Sequence, residues 1–195
     1  MKKLLIALAA GSMAAVSCSH LTEGVADYRV VPLPREITAE TGDGFRFSGS
    51  TVIAYPEGDS ALAVNAGLLA GYLDRLTGFE PEIRGVGSGL DELKDAIVLE
   101  ASLADSNPEA YTLNVDAARI LIDGATARGN FYGIQTLRKS IPSAGKQTVL
   151  FPAVEISDSP RFPYRGAHLD VARHFFPLDS VKAFIDMIAL HNINT

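Results

Sequence analysis

Arg161-Phe162-Pro163-Tyr164-Arg165-Gly166-Ala167-His168-Leu169-Asp170-Val171-Ala172-Arg173-His174-Phe175-Phe176-Pro177 passes from an apolar middle to a polar edge and then to a proline. The pattern predicts a buried strand over Tyr164 to Val171, a polar strand end carrying Asp170, Arg173 and His174, and a helix from Pro177 to His191. That helix has Leu178, Val181, Phe184, Ile185, Ile188 and Ala189 on one face. Pro177 stands in its first turn, where a missing N–H costs nothing. A parallel-type strand that frees polar groups at its C-terminal edge is how a (β/α)8 barrel begins, with ligand-binding groups at the top face. One strand and one helix cannot close a barrel, so the expectation over residues 157–195 is a truncated start whose apolar faces lack partners.

Arg173 is the candidate binding residue at that edge. An arginine at a strand end is ordinarily a solvated or ion-paired surface group, and its place just past a buried parallel-type strand is what points to a ligand. Its guanidinium presents several fixed donors, suited to vicinal hydroxyls or a carboxylate. Asp170, three residues earlier, is expected to pair with Arg173 or with a backbone group. His168 and His174 are six apart and do not by themselves make a bidentate metal site, so no metal or cofactor is expected.

Upstream, Ser157-Asp158-Ser159-Pro160 reads as a turn-type boundary, and residues 28–156 as a domain of their own. Val30-Val31, Phe45 to Phe47 and Thr51 to Tyr55 are short β-type runs divided by prolines and glycines. Leu62, Ala66, Leu69, Leu73 and Leu76 recur at three- and four-residue steps between a cap at Asp59 or Ser60 and a stop at Gly78, which predicts an amphipathic helix. Further strands are expected at Ile83, Ala96 to Leu99, Ala110 to Val115 and Arg119 to Asp123, the last two as a hairpin through Asp116-Ala117. A second helix should run from Ala127 to Ser140 and stop at Pro142, followed by strands at Thr148 to Phe151 and Val154 to Ile156. Without strict βαβ alternation this is an α+β domain, most simply one sheet with two helices on one face. Gly85 to Gly89 reads as a loop. Gly124 to Gly133 leaves a strand and enters a helix but lacks a Gly-Lys-Ser/Thr ending, so its glycines are read as close packing and not as a phosphate cradle.

Met1-Lys2-Lys3 followed by an apolar run to Val16 has the layout of an export signal over residues 1–17, too short to span a bilayer. Cys18, the single cysteine, follows Ala15-Val16-Ser17 and so resembles the lipidated first residue of a bacterial lipoprotein. Residues 18–27 are polar and patternless, as a tether would be. The expected location is outside the cytoplasm, anchored by lipid to a membrane and facing the periplasm or the cell surface. Without a second cysteine no disulfide can form within the chain, and stability must come from packing. Losing Lys2 and Lys3 with the signal takes the formal charge from −6 to −8, which argues against nucleic acid as a partner. Trp is absent. That argues against a complete sugar-stacking cleft within these residues, since Trp offers the largest aromatic face.

Four segments carry a resemblance: Val31 to Pro34; Glu109 to Leu113; Gly124-Ala125 with Arg128 to Leu137; and Arg161 to Gly166 with Leu169 to Phe175. In order and spacing they resemble the β-N-acetylhexosaminidases of glycoside hydrolase family twenty, over roughly Tyr28 to Thr195. The resemblance implies a small α+β domain leading into a catalytic barrel that releases terminal N-acetylglucosamine or N-acetylgalactosamine from glycans. It also implies substrate-assisted retaining chemistry, in which the substrate's acetamido group attacks its own anomeric carbon, an Asp orients it and a Glu protonates the leaving oxygen. Arg173 matches the family's arginine that binds hydroxyls of the terminal sugar. No residue here matches the Asp-Glu pair, so this chain alone is expected to be inactive. The alternatives are a non-catalytic glycan-binding or scaffold lipoprotein module, and another barrel glycosidase with a similar leading domain.

Overall fold

The structure, a computed structural model, describes residues 22–143 and 145–195. Its elements are β1 (Thr22–Val25), β2 (Glu36–Ala39), β3 (Phe45–Phe47), β4 (Val52–Pro56), α1 (Ser60–Thr77), β5 (Glu82–Val86), β6 (Ala96–Glu100), β7 (Tyr111–Val115), β8 (Arg119–Gly124), α2 (Ala127–Ser140), β9 (Gln147–Phe151), β10 (Val154–Asp158) and α3 (Leu178–Leu190). Seven strands form one sheet in the order β2-β10-β7-β8-β6-β4-β5, antiparallel from β2 to β8 and parallel from β8 to β5.

Register turns the alternation within each strand into rows across the sheet. Ile53, Ile97, Ile120, Val115 and Val154 stand side by side, as do Leu99, Ile122, Leu113 and Ile156. All nine are buried in one apolar core. Each such side chain contributes on the order of 1.5–3 kcal/mol by leaving water. The helices α1 and α2 cover this face, offering Leu62, Ala66, Leu69 and Leu73 from one and Ile134 and Leu137 from the other.

Both helices end where their sequences say they should. Asp59 Oδ1 accepts hydrogen bonds from the N–H groups of Ala61 (3.0 Å) and Leu62 (2.9 Å), and Gly78, at φ 72°, closes α1 in the left-handed region. Thr126 Oγ1 accepts from Arg128 N–H (3.1 Å) and donates to Pro108 O (2.6 Å), which pins the start of α2 to the loop before β7. The glycine run into α2 is a packing device, as expected. A Cβ on Gly129 would lie inside contact distance of the Ala110 carbonyl, and one on Gly133 would press into Ile122 and Tyr111. Between these glycines, buried Asn130 donates to the carbonyls of Ile122 (2.8 Å) and Glu100 (3.1 Å) and accepts from Asn65 (3.0 Å). Helix, sheet and neighbouring helix are thereby fastened at one point.

Five expectations need correction. The tether expected over residues 18–27 holds a strand: Thr22–Val25 pairs in parallel with β9, and Ala26 N–H donates to Leu150 O (2.9 Å). It left no apolar signature, because Thr22, Glu23 and Val25 are all exposed and the one buried position is Gly24. Secondly, the described residues form two sheets, not one; β1, β9 and β3 make a small second sheet that adds Phe45, Phe47, Val149 and Phe151 to the same core. Thirdly, Val30-Val31 is not a strand. Prolines at 32 and 34 remove the ladder donors, and the strand lies at Glu36–Ala39, an edge strand with every side chain exposed and therefore no apolar signature. Fourthly, Gly85 belongs to β5 and not to a loop.

The barrel strand expected at Tyr164 to Val171 is also not formed, although its helix is, as α3. Among the described residues its backbone pairs with one other segment, residues 194–195. Ala167 N–H donates to Thr195 O (2.8 Å), while Thr195 and Asn194 N–H donate to Arg165 O (3.2 and 2.9 Å). That alternation is one rung of a parallel ladder, and a lone rung does not make a strand.

Two glycine substitutions should have opposite signs. Replacing an exposed helical glycine with alanine normally gains about 0.5–1 kcal/mol. Gly67 on α1 has open space where a Cβ would go, so Gly67→Ala should raise the unfolding free energy by that amount. Gly129→Ala should lower it by about 1–3 kcal/mol, because the obstructing atom is backbone and cannot yield. Urea titrations of the two variants check the pair.

Candidate functional site

Arg173 sits in solvent. Its side chain is 86% exposed, with a guanidinium nitrogen 3.2 Å from Asp170 Oδ2. Asp170 Oδ1 also accepts from the N–H groups of Ala172 (2.9 Å) and Arg173 (3.2 Å), so this carboxylate takes both of the partners expected for it. Apolar neighbours share the exposure, Phe175 at 89% and Tyr164 at 71%. Cys18 lies outside the described residues. Among the described residues no three His, Cys, Asp or Glu side chains gather closely enough to hold a metal ion.

The structured polar centre lies instead where residues 162–195 meet the sheet domain. Arg165 reaches across this joint to Glu109, in the loop before β7, with NH1 2.8 Å from Glu109 Oε2; their side chains are 16% and 8% exposed. Arg165 also donates from Nε to Asn192 O (2.7 Å), from NH1 to Phe162 O (2.7 Å) and from NH2 to the Tyr132 hydroxyl (3.0 Å). Asn194 Nδ2 donates to the other Glu109 oxygen (3.1 Å) and to Pro163 O (2.8 Å), while Asn194 Oδ1 accepts from Arg165 N–H (3.0 Å). Burial raises the Glu109 pKa, but the hydrogen bonds from Arg165 and Asn194 and the charge of Arg165 outweigh it, and the net direction is below the ordinary carboxylate value.

A carboxylate held ionised and filled with donors is a poor general acid or base, because catalysis needs a proton that can come and go near neutral pH. The cluster therefore holds structure in place. A cleft of about 370 Å³ opens beside it, rimmed by Arg128, Arg161 and Asn107. Two turns further along α2 than Tyr132, Lys139 donates to Val31 O (3.1 Å) and Leu190 O (3.1 Å), tying the N-terminal loop to the end of α3. Desolvation there, with the charge of Arg138 adding to it, brings the Lys139 pKa down to about 8.

Sequence reasoning singled out Arg173 and passed over this joint. Glu109 and Arg165 each stood inside a motif, but nothing in the spacing of residues 56 apart says that they touch.

Because its folded pKa is depressed, Glu109 contributes stability that is present above its unfolded value near 4.5 and is lost as pH falls through the lower folded value. Glu109→Gln should cost about 1–3 kcal/mol at neutral pH, since it leaves the Arg165 charge buried without its partner. The gap between wild type and variant should shrink as pH drops below the ordinary value of 4.5, as read from urea midpoints at a series of pH values.

With this geometry in view, the comparisons agree with one another. The model described as glycosyl hydrolase family 20, domain 2, matches residues 27–159, and that of the family's catalytic domain matches residues 162–195. A β-N-acetylhexosaminidase of Cellulomonas fimi is 35% identical over 170 residues, which cover 85% of this chain and 33% of the relative. A β-hexosaminidase of Porphyromonas gingivalis is 33% identical over 172 residues, 85% of this chain and 21% of that one. The family 20 β-N-acetylhexosaminidase structure from Streptomyces coelicolor superposes with a TM-score of 0.76 at 29% identity, over 89% of this chain and 35% of its own. A mutant β-hexosaminidase from Streptomyces plicatus, solved in complex with the product GlcNAc, gives 0.75 at 29% identity, over 86% and 33%. The chain thus spans a third or less of the length of the curated relatives it matches. With one family model spanning its sheet domain and the other taking up at Phe162, the chain belongs to glycosyl hydrolase family 20.

Proposed function

We propose that this chain is the leading part of an exported, lipid-anchored β-N-acetylhexosaminidase. On this reading residues 22–158 form the domain that precedes the barrel, and residues 162–195 are the barrel's first strand and helix. The reaction removes terminal N-acetylhexosamine from glycans with retention, through attack by the substrate's own acetamido oxygen. The Asp that orients that group and the Glu that protonates the leaving oxygen come from outside these residues. Arg173 binds hydroxyls of the terminal sugar through its fixed guanidinium donors.

The observation that carries the reading is the behaviour of residues 162–195. They match the family's catalytic domain and place their one parallel rung between Arg165 to Ala167 and Thr195, on either side of α3. Strand start, helix, parallel neighbour is the repeating unit of a (β/α)8 barrel. The solvent-facing Tyr164, Phe175, Leu178 and Ile185 also support it, since so many large apolar side chains exposed within one segment are normally covered by further protein. The named activity of the relatives supplies the substrate class.

Assay of the full-length gene product on a chromogenic N-acetylglucosaminide tests the reading directly. Turnover is expected with wild type, and Arg173→Met should lower kcat/KM by about a hundredfold, the equivalent of ~2.7 kcal/mol of charge-assisted hydrogen bonding, with no change in thermal stability because the side chain is exposed. Sugar binding without turnover would favour the non-catalytic module. For the anchor, Cys18→Ser should move the protein from the membrane to the soluble extract and abolish incorporation of labelled fatty acid.

A further inference from the structure

Arg165 joins three pieces of the molecule with one side chain and one backbone unit. Its guanidinium grips Glu109 and the Tyr132 hydroxyl in the sheet domain and the Asn192 carbonyl after α3. Its own carbonyl accepts from Asn194 and Thr195, forming one side of the parallel rung. The side chain that contacts the sheet domain therefore belongs to the residue that sets the pairing of the following segment.

Two physical facts make this a determinant of register. Side chains of an extended segment alternate between opposite faces, so a slip of one residue would swing position 165 away from Glu109. The cost of that slip is high, because it would leave a carboxylate at 8% exposure without its cation. A flat apolar contact would tolerate several offsets; a forked guanidinium with four filled acceptors tolerates one. Arg173 lies eight residues further along the same segment, and once that segment pairs as a barrel strand the register fixed at Arg165 carries over to Arg173.

We propose that Arg165 is a positioning residue: clamped by Glu109, it sets the register of the segment that carries Arg173 to the sugar. The clamp follows from the geometry alone, and only its effect on substrate rests on the hexosaminidase reading.

The test has two arms. In this chain, hydrogen exchange should be compared for wild type, Arg165→Lys and Glu109→Gln, with Leu69→Ala as a control that weakens the core without touching the joint. The amides of Ala167, Asn194 and Thr195 should exchange about tenfold or more faster in the first two variants and at an unchanged rate in Leu69→Ala, while those of Leu113 and Ile122 speed up in all three by no more than the global loss of stability accounts for. In the full-length gene product, the same two variants should raise KM for the N-acetylglucosaminide several-fold with a smaller change in kcat, whereas Leu69→Ala lowers the active fraction and leaves KM alone. Should Arg165→Lys fail to fold, Glu109→Gln carries the same expectation. Unaltered exchange at 167, 194 and 195 would overturn the proposal, and so would an unaltered KM in an active enzyme. If the wild-type enzyme hydrolyses nothing, the hydrolase reading falls, and the exchange arm alone decides the clamp.

Discussion

The closeness of α2 to β8 is the constraint on which the remaining structure depends. It is set by backbone contact: glycines at 129 and 133 leave no side chain between the helix and the strands beneath, and Asn130 fills the space with hydrogen bonds to two sheet carbonyls. A helix seated this low brings Ile134 and Leu137 onto the rows built by Leu113 and Ile122, and it meets α1 through the Asn65–Asn130 bond. It also delivers Tyr132 and Lys139 to the two points where residues 162–195 are attached. Core packing and the interdomain joint are thus consequences of one close approach.

The joint itself is polar for a reason that stability does not explain. A buried ion pair recovers little more than its own desolvation, and an apolar pair of similar volume would hold two surfaces together as well or better. What the polar set adds is selectivity of geometry. Glu109 accepts from Arg165 and Asn194, and Asn194 Oδ1 accepts in turn from Arg165 N–H, so the three residues close a circuit of hydrogen bonds. The outcome is a sheet domain that dictates how the following segment begins.

Much of the fold was legible. The three- and four-residue recurrence of leucines marked α1, with Asp59 and Gly78 at its ends, and alternation marked the β7–β8 hairpin down to its turn. Strands that bury no apolar side chain were invisible: Thr22–Val25 and Glu36–Ala39 turn none inward, so no periodicity betrayed them. The opposite error occurred at Tyr164 to Val171, where the apolar pattern is present and the strand is not, because a strand exists only with partners on its flanks. Arg173 was legible as a residue type at a suggestive position. Its clamp partner eight residues earlier was not legible as a clamp, since Arg165 acts through Glu109, far away along the chain.

Sequence by itself determined what is local: where helices start and stop, which residues turn toward a core, and which family motifs are present, since caps, periodicity and glycine spacing act over a few neighbouring residues. Only the tertiary structure decided which strands share a sheet, that a second small sheet closes the core, and that Glu109 and Arg165 meet at the joint. Those outcomes depend on backbone hydrogen bonds and charges brought together from distant parts of the chain. Such bonds are available to every residue alike, and so leave no trace in the order of side chains.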